Sequence, residues 1–95
     1  MAQTRITDAD LKNLCNRINK LTGSPIEQYT FWDDGHYHSN IGNYYISGAY
    51  GGVKLERIVN DGGGCQDISH NGFGTKRELY TWMDAFLRGL ESRSV

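Results

Sequence analysis

A glycine-rich stretch, NDGGGCQDISHNGFGTKRE at residues 60–78, contains most of the side chains that could do chemistry. Its glycines lead into the start of a helix, and successive backbone N–H groups at a helix N-terminus form a concavity that binds anions. The glycine spacing differs from that of a P-loop. The stretch is therefore either a phosphate- or nucleotide-binding loop or a connection that supplies left-handed backbone and caps the helix. The candidate ligand-binding residues are Gly72, Gly74, Thr75, Lys76 and Arg77.

Histidine and cysteine side chains suggest two other kinds of site. His36, His38, Cys65 and His70 could supply four zinc-type ligands, but their spacing matches no standard metal site. Cys65, His70 and Asp67 have the composition of a nucleophile, a base and an orienting acid. Neighbouring residues of one loop seldom reach triad geometry, and no oxyanion-hole motif accompanies them. We therefore expect no catalytic residues, no metal and no cofactor.

Length and charge limit the class of protein. The chain has 95 residues, which predicts a single domain over residues 1–95, and a formal net charge of -1, which gives no global attraction to nucleic acid or an anionic membrane. No apolar run is long enough to cross a bilayer, and the amino terminus lacks the apolar stretch of a secretion signal. Cys15 and Cys65 do not form a disulfide pattern. These features predict a cytosolic protein with two free thiols.

Capping signals mark the first helix. Thr7 has the character of an N-cap, and Asp10 stands where the acidic residue of a capping box belongs. Apolar residues then recur at helical spacing. Gly23 favours the left-handed conformation that ends helices, and Pro25 prevents continuation. The pattern predicts a helix over residues 8–22.

A second capping box, Thr75 and Glu78 in TKRE, predicts a helix near the carboxyl end of the chain. Its apolar stripe is broad enough to form much of the core, and full burial of Trp82 would stabilise the fold by roughly 1.5–3 kcal/mol. The stripe comprises Leu79, Trp82, Met83, Phe86, Leu87 and Leu90. We expect truncation of Trp82 to unfold the domain.

The segment between the helices alternates with the period of β-strands. Residues 26–40 predict a hairpin around the Asp33-Asp34-Gly35 turn, and NYYISGAY at 43–50 predicts a further strand. VKLERIVN at 53–60 is compatible with a fourth strand or a short helix. The expected class is α+β: helix, three- to four-stranded antiparallel sheet, helix, with both helices on one sheet face.

Aromatic residues are too many for two small helices to cover. The uncovered rings either line a solvated sheet with their hydroxyls in water or form a partner-binding surface, where tyrosine and tryptophan are favoured. A homodimer would also bury such a face, and we expect the protein to form a homo-oligomer. The candidate partner-binding residues are Tyr29, Trp32, Tyr37, Tyr44, Tyr45 and Tyr50.

The order of elements is similar to that of double-stranded RNA-binding domains. Such a domain places a basic cluster at the start of its last helix, whereas here Glu78 follows Lys76 and Arg77 at once. Nucleic acid is therefore the least favoured partner.

Four segments resemble a group of small, uncharacterised proteins of bacteriophages and prophages: GAYGG at 48–52, IVNDGGG at 58–64, DIS at 67–69 and TKRELY at 75–80. The resemblance covers about the last half of the chain. It implies a viral accessory protein in a bacterial cytoplasm and carries no known site residues. Such proteins often resemble counter-defence factors. We therefore expect a non-enzymatic inhibitor of a host immune complex of the CRISPR-Cas type; the alternatives are a sponge for a small cyclic-nucleotide signal and a nucleic-acid-binding regulator.

Overall fold

A computed structural model describes residues 5–69 and 73–93, and it has the expected α+β class. Within these residues, two helices precede and follow five antiparallel strands along the sequence. The strands form two small sheets, one with the order β1-β2 and the other with the order β3-β4-β5. The elements are α1 (Asp8–Thr22), β1 (Tyr29–Phe31), β2 (Tyr37–Ser39), β3 (Tyr44–Ala49), β4 (Gly52–Ile58), β5 (Cys65–Asp67) and α2 (Lys76–Arg93).

Both predicted capping boxes are confirmed. The Thr7 hydroxyl accepts from the Asp10 N–H at 3.2 Å, and the Asp10 carboxylate accepts from the Thr7 N–H at 2.9 Å. Gly23 ends α1 with φ 70°, in the left-handed region. At the start of α2, Thr75 and Glu78 make the same reciprocal pair at 2.8 and 3.1 Å. Local sequence therefore determines where α1 begins and ends and where α2 begins.

The predicted hairpin is present, but it forms a sheet of its own. Phe31 pairs with Tyr37 across β1 and β2. In the larger sheet, Ile46 pairs with Leu55, which establishes that the ambiguous segment after residue 52 is a strand. The third strand of that sheet, β5, lies inside the glycine-rich stretch and was not expected.

The core lies between the two helices and one face of the larger sheet. Helix α1 packs against β3 and against α2, and α2 packs against β4. Trp82 is only half-buried, beside Phe86 with ring centroids 5.1 Å apart, so the expectation of its full burial is wrong, while the effect of its truncation stays a prediction. The buried cluster comprises Leu11, Leu14, Cys15, Ile18, Tyr44, Val53, Leu55, Leu79, Met83 and Leu87. Within the described residues, no helix has the length and apolar character to cross a membrane.

Candidate functional site

The hairpin of residues 29–39, here called the aromatic hairpin, carries the most exposed large rings after Tyr50. Tyr29 is 52% exposed, Phe31 59%, Trp32 53% and Tyr37 72%. Phe31 and Tyr37 are cross-strand partners and pack edge to face with ring centroids 5.0 Å apart. This arrangement fixes the two rings against each other while most of their surface faces solvent.

The opposite face of the aromatic hairpin is held by a ring stack and a side-chain hydrogen bond. The rings of Trp32 and His38 stack at 3.7 Å, and His38 Nε2 lies 2.8 Å from Asp34 Oδ2. The Asp34 carboxylate also accepts from the backbone N–H of His36 at 2.9 Å. These bonds, first from His36 and then from His38, lower the pKa of Asp34. The turn therefore positions Trp32 without covering it.

The base of the aromatic hairpin is joined to the body through two asparagines. Asn40 donates its backbone N–H to the Gln28 carbonyl and its Nδ2 to the Glu27 carbonyl, both at 3.0 Å. Asn43 Nδ2 donates to the carbonyls of residues 25 and 26, at 2.8 and 3.1 Å. Polar side chains thus fix the hairpin to the chain that leads into it and leave its rings uncovered.

A polar cluster occupies the sheet face that the helices leave uncovered. Lys54 Nζ lies 2.9 Å from Asp67 Oδ1 and 3.5 Å from Glu56 Oε2, and the Cys65 thiol donates to Glu56 at 3.6 Å. The hydrogen bond with Asp67 raises the pKa of Lys54, and the same bond lowers the pKa of Asp67. Burial, followed by hydrogen bonding to Cys65, raises the pKa of Tyr45. This face is a hydrogen-bonded network rather than a row of free aromatic rings.

The three tyrosines of the larger sheet occupy different environments. Tyr44 is 7% exposed and lies in the core, so the prediction that its ring is part of a partner-binding surface is wrong. Tyr45 is half-buried in the polar cluster. Tyr50 is 97% exposed, has φ 53° in the β3–β4 turn, and contacts the Phe73 ring edge to face at 5.8 Å. Of these three, only Tyr50 presents an accessible ring.

Several polar groups at the start of α2 bond to other groups of the same chain. The Thr75 N–H donates to the Glu78 carboxylate of the capping box, the Glu78 N–H donates to the Thr75 hydroxyl, and Lys76 Nζ pairs with Asp8 at 3.1 Å. Gly74 forms an isolated bridge with Val53, and Arg77 is exposed on the first turn. Gly72 lies outside the described residues. Phosphate binding here stays a prediction, and an anion at the Thr75 N–H would have to displace the Glu78 carboxylate.

The metal and nucleophile alternatives both include His70, which lies outside the described residues. Across residues 5–69 and 73–93, no group of three His, Cys, Asp or Glu side chains could hold a metal. Cys65 and Asp67 lie two residues apart on β5, where each contacts the polar cluster. Phe31 was not among the predicted partner-binding residues, and His38 was considered only as a metal ligand, although alternation along the two strands indicated which face each would occupy.

No protein-family model, curated protein or solved structure matches the chain. Arguments about function therefore depend on the described side chains themselves.

Proposed function

We propose that this is a non-enzymatic binding protein that recognises another protein through the aromatic hairpin. The observation that carries the proposal is the exposure of Tyr29, Phe31, Trp32 and Tyr37, each more than half accessible on one short hairpin. Tyrosine and tryptophan dominate the binding energy of protein interfaces because they bury a large area at a small cost in conformational entropy. Four such rings supply enough anchors for one interface.

The geometry of the hairpin supports the same proposal. Cross-strand contact between Phe31 and Tyr37, and the stack of Trp32 on His38, hold these rings in the free protein. Prior ordering lowers the entropy that binding must overcome. Carboxylates at the turn, Asp33 and Asp34, add a charged rim that would orient a basic partner surface.

The resemblance to phage accessory proteins supports a more specific proposal about the target. The partner is a component of a bacterial immune complex of the CRISPR-Cas type, and the protein acts in the bacterial cytoplasm by blocking that complex. Sequestration of a cyclic nucleotide or binding of nucleic acid would require free cationic groups. The ion pair of Lys76 with Asp8 and the Glu78 carboxylate at the start of α2 give those alternatives less support.

The test combines an immunity assay with a binding measurement. Bacteria that carry an active CRISPR-Cas system and a spacer against a test phage would express the wild-type chain, and plaque formation by that phage should be restored. The double variant Phe31→Thr/Trp32→Thr keeps the strand-forming character of β1 and removes two rings. It should bind the purified immune complex at least roughly 30-fold more weakly, since the loss of even one interface anchor costs about 2 kcal/mol or more.

Ile41→Thr is the matched control, because Ile41 is a similarly exposed apolar residue in the turn that follows the aromatic hairpin. Equal activity of the double variant and the control would contradict recognition through the hairpin. Failure of the wild-type chain to protect phage, together with no binding to the purified complex, would reject the immune target.

A further inference from the structure

Strand β3 is an outer strand of its sheet, and its main chain presents hydrogen-bonding groups to the outside. The Ile58 N–H donates to the Asn43 carbonyl at 3.0 Å, which fixes these residues as a hydrogen-bonded pair. Because antiparallel pairing alternates, the main-chain groups of Tyr44, Ile46 and Gly48 point away from β4. The outer side of β3 therefore offers three residues for pairing.

Only the first of these residues is paired within the chain. The side-chain amide of Asn19 bonds both main-chain groups of Tyr44, at 2.8 and 3.0 Å. The outward groups of Ile46 and Gly48 make no hydrogen bond to any residue in the described ranges 5–69 and 73–93. A free N–H and C=O on alternate residues are what an added strand requires.

Helix α1 forms the other wall of a groove along this edge. Asn19, toward the end of α1, contacts Tyr44 at the start of β3, while Asp8, at the beginning of α1, pairs with Lys76 beside the β3–β4 turn. Helix and strand therefore run side by side in opposite directions. The β3–α1 groove encloses about 480 Å³. Its lining includes Leu11, Lys12, Cys15, Asn16, Asn43, Ile46 and Gly48.

The groove has one charge of each sign that is not used within the described chain. Lys12 lies on the α1 wall and Glu27 lines the groove from the chain preceding β1, and neither forms an ion pair with a described residue. Asn43, which also lines the groove, has a buried Oδ1 with no hydrogen-bond donor among the described residues. An occupant with a carboxylate near Lys12 and a cationic group near Glu27 would complement these charges.

The position of α1 disfavours pairing of β3 with β3 between two copies of this chain. The Asn19 amide lies within 3.0 Å of the outward main-chain groups of Tyr44, so α1 extends past the edge of the sheet. A two-fold copy would bring its own α1 into the space that the first α1 occupies. This clash favours, as the occupant, a strand without a helix over its edge.

We propose that the β3–α1 groove binds an extended peptide segment of another protein, which adds to the sheet as a strand beside β3. The segment pairs with the main chain of Ile46 and Gly48, directs an apolar side chain toward Leu11 and Cys15, and carries an acidic residue that faces Lys12. This site is separate from the aromatic hairpin and does not depend on the proposed immune target.

The experiment selects random seven-residue peptides displayed on filamentous phage against the full chain, and then measures binding of the most enriched sequence as a fluorescent synthetic peptide. We expect Asn16→Trp, which fills the groove, to abolish binding. Lys12→Glu should weaken binding roughly tenfold for a peptide with a facing acid. Lys20→Glu is the control, because Lys20 is exposed on α1 and lies outside the groove lining.

Two further measurements identify strand addition itself. N-methylation of the peptide backbone should abolish binding at the two alternate residues that pair with Ile46 and Gly48 and be tolerated at the residue between them, because only alternate amides face β3. Bound peptide should also slow amide hydrogen exchange at Ile46 and Gly48. The aromatic-hairpin variant Phe31→Thr/Trp32→Thr should bind the same peptide with unchanged affinity, which separates this site from the proposed function.

The proposal is overturned if no selected peptide prefers the wild-type chain over Asn16→Trp, or if N-methylation has the same effect at every position. It is also overturned if native mass spectrometry shows a dimer that Asn16→Trp converts to monomer, because the groove would then belong to a second copy. Circular dichroism of each variant confirms that it is folded. If Asn16→Trp does not fold, the comparison of peptide affinity between Lys12→Glu and Lys20→Glu decides the result. Equal affinities would then overturn the proposal.

Discussion

The side chain of Asn19 acts as a strand neighbour for Tyr44. Its Oδ1 accepts from the Tyr44 N–H at 2.8 Å, and its Nδ2 donates to the Tyr44 carbonyl at 3.0 Å. The Cys15 thiol donates to the same carbonyl at 3.0 Å. Helix α1 is thereby joined to the outer strand by buried polar contacts as well as by apolar packing.

Asn19→Ala should destabilise the protein by about 1–3 kcal/mol, because the buried Tyr44 N–H loses its partner and the Tyr44 carbonyl keeps only the Cys15 thiol as a weak donor. Urea denaturation followed by circular dichroism measures this change in the free energy of unfolding. Asn13→Ala is the control, since Asn13 is exposed on the same helix. Equal changes for the two variants would show that the Asn19 bonds contribute nothing beyond helix propensity.

The two cysteines should differ sharply in reactivity. Burial raises the pKa of the Cys15 thiol to about 12, whereas Cys65 is exposed. A raised thiol pKa keeps Cys15 protonated and unreactive at pH 8. Ellman's reagent should therefore modify one thiol in the folded protein and two in urea. Rapid reaction of folded Cys65→Ser with the reagent would contradict the burial of Cys15.

Acid should weaken the polar cluster on the uncovered sheet face. The pKa of Asp67 is lowered by its bond to Lys54, so the pair contributes stability above the unfolded pKa of about 3.9 and loses it as the pH falls through the folded pKa. The midpoint of urea denaturation should therefore fall less for Asp67→Asn than for the wild type between pH 5 and pH 2.

Asp61→Asn is the control for that titration, because Asp61 is exposed in the β4–β5 turn and forms no ion pair with a described residue. Its acid profile should match the wild type. Identical profiles for all three proteins would mean that the contact between Lys54 and Asp67 does not persist in solution.

The centre of the core should depend on Met83 more than on any exposed apolar side chain. Met83 is fully buried between the helices and the sheet, and Met83→Ala should cost about 2–5 kcal/mol through lost transfer energy and a cavity. Leu21→Ala, at an exposed position on α1, should cost less than about 1 kcal/mol. Thermal unfolding of the two variants gives the comparison, and equal costs would contradict the position of the core.

The parts of the fold that local chemistry determines were predictable from sequence. Thr7 with Asp10, Gly23, and Thr75 with Glu78 act within a few residues of each other, so their spacing was sufficient. The neighbours Tyr44 and Tyr45 show what a local sequence pattern cannot predict. Alternation indicates that they face opposite sides of a strand, but which side the helices cover depends on Asn19, 25 residues earlier in the chain.

Strand β5 and the β3–α1 groove could not be predicted for the same physical reason. Residues 65–67 are too few to show a period after a run of glycines, and they become a strand because β4 offers a free edge beside them. The groove requires Lys12, Glu27 and Ile46, which are brought together only by packing. The hairpin was predicted from its turn and alternation, but its separation from the larger sheet is a matter of tertiary structure.

Tyr50 should lower the stability of the fold and contribute to partner binding. Its φ of 53° lies in the left-handed region, where a residue with a large side chain costs roughly 1–2 kcal/mol, and its ring is 97% exposed next to Phe73. Asn followed by glycine suits a tight hairpin turn of this kind, so Tyr50→Asn should raise the free energy of unfolding by about 0.5–1 kcal/mol.

If Tyr50 belongs to a partner-binding surface, the same variant should bind the immune complex more weakly, and Tyr50→Phe, which keeps both the ring and the strain, should bind normally. Urea denaturation and titration of the purified complex measure the two effects; a stabilised Tyr50→Asn variant with wild-type affinity would show that the exposed ring has no role in recognition.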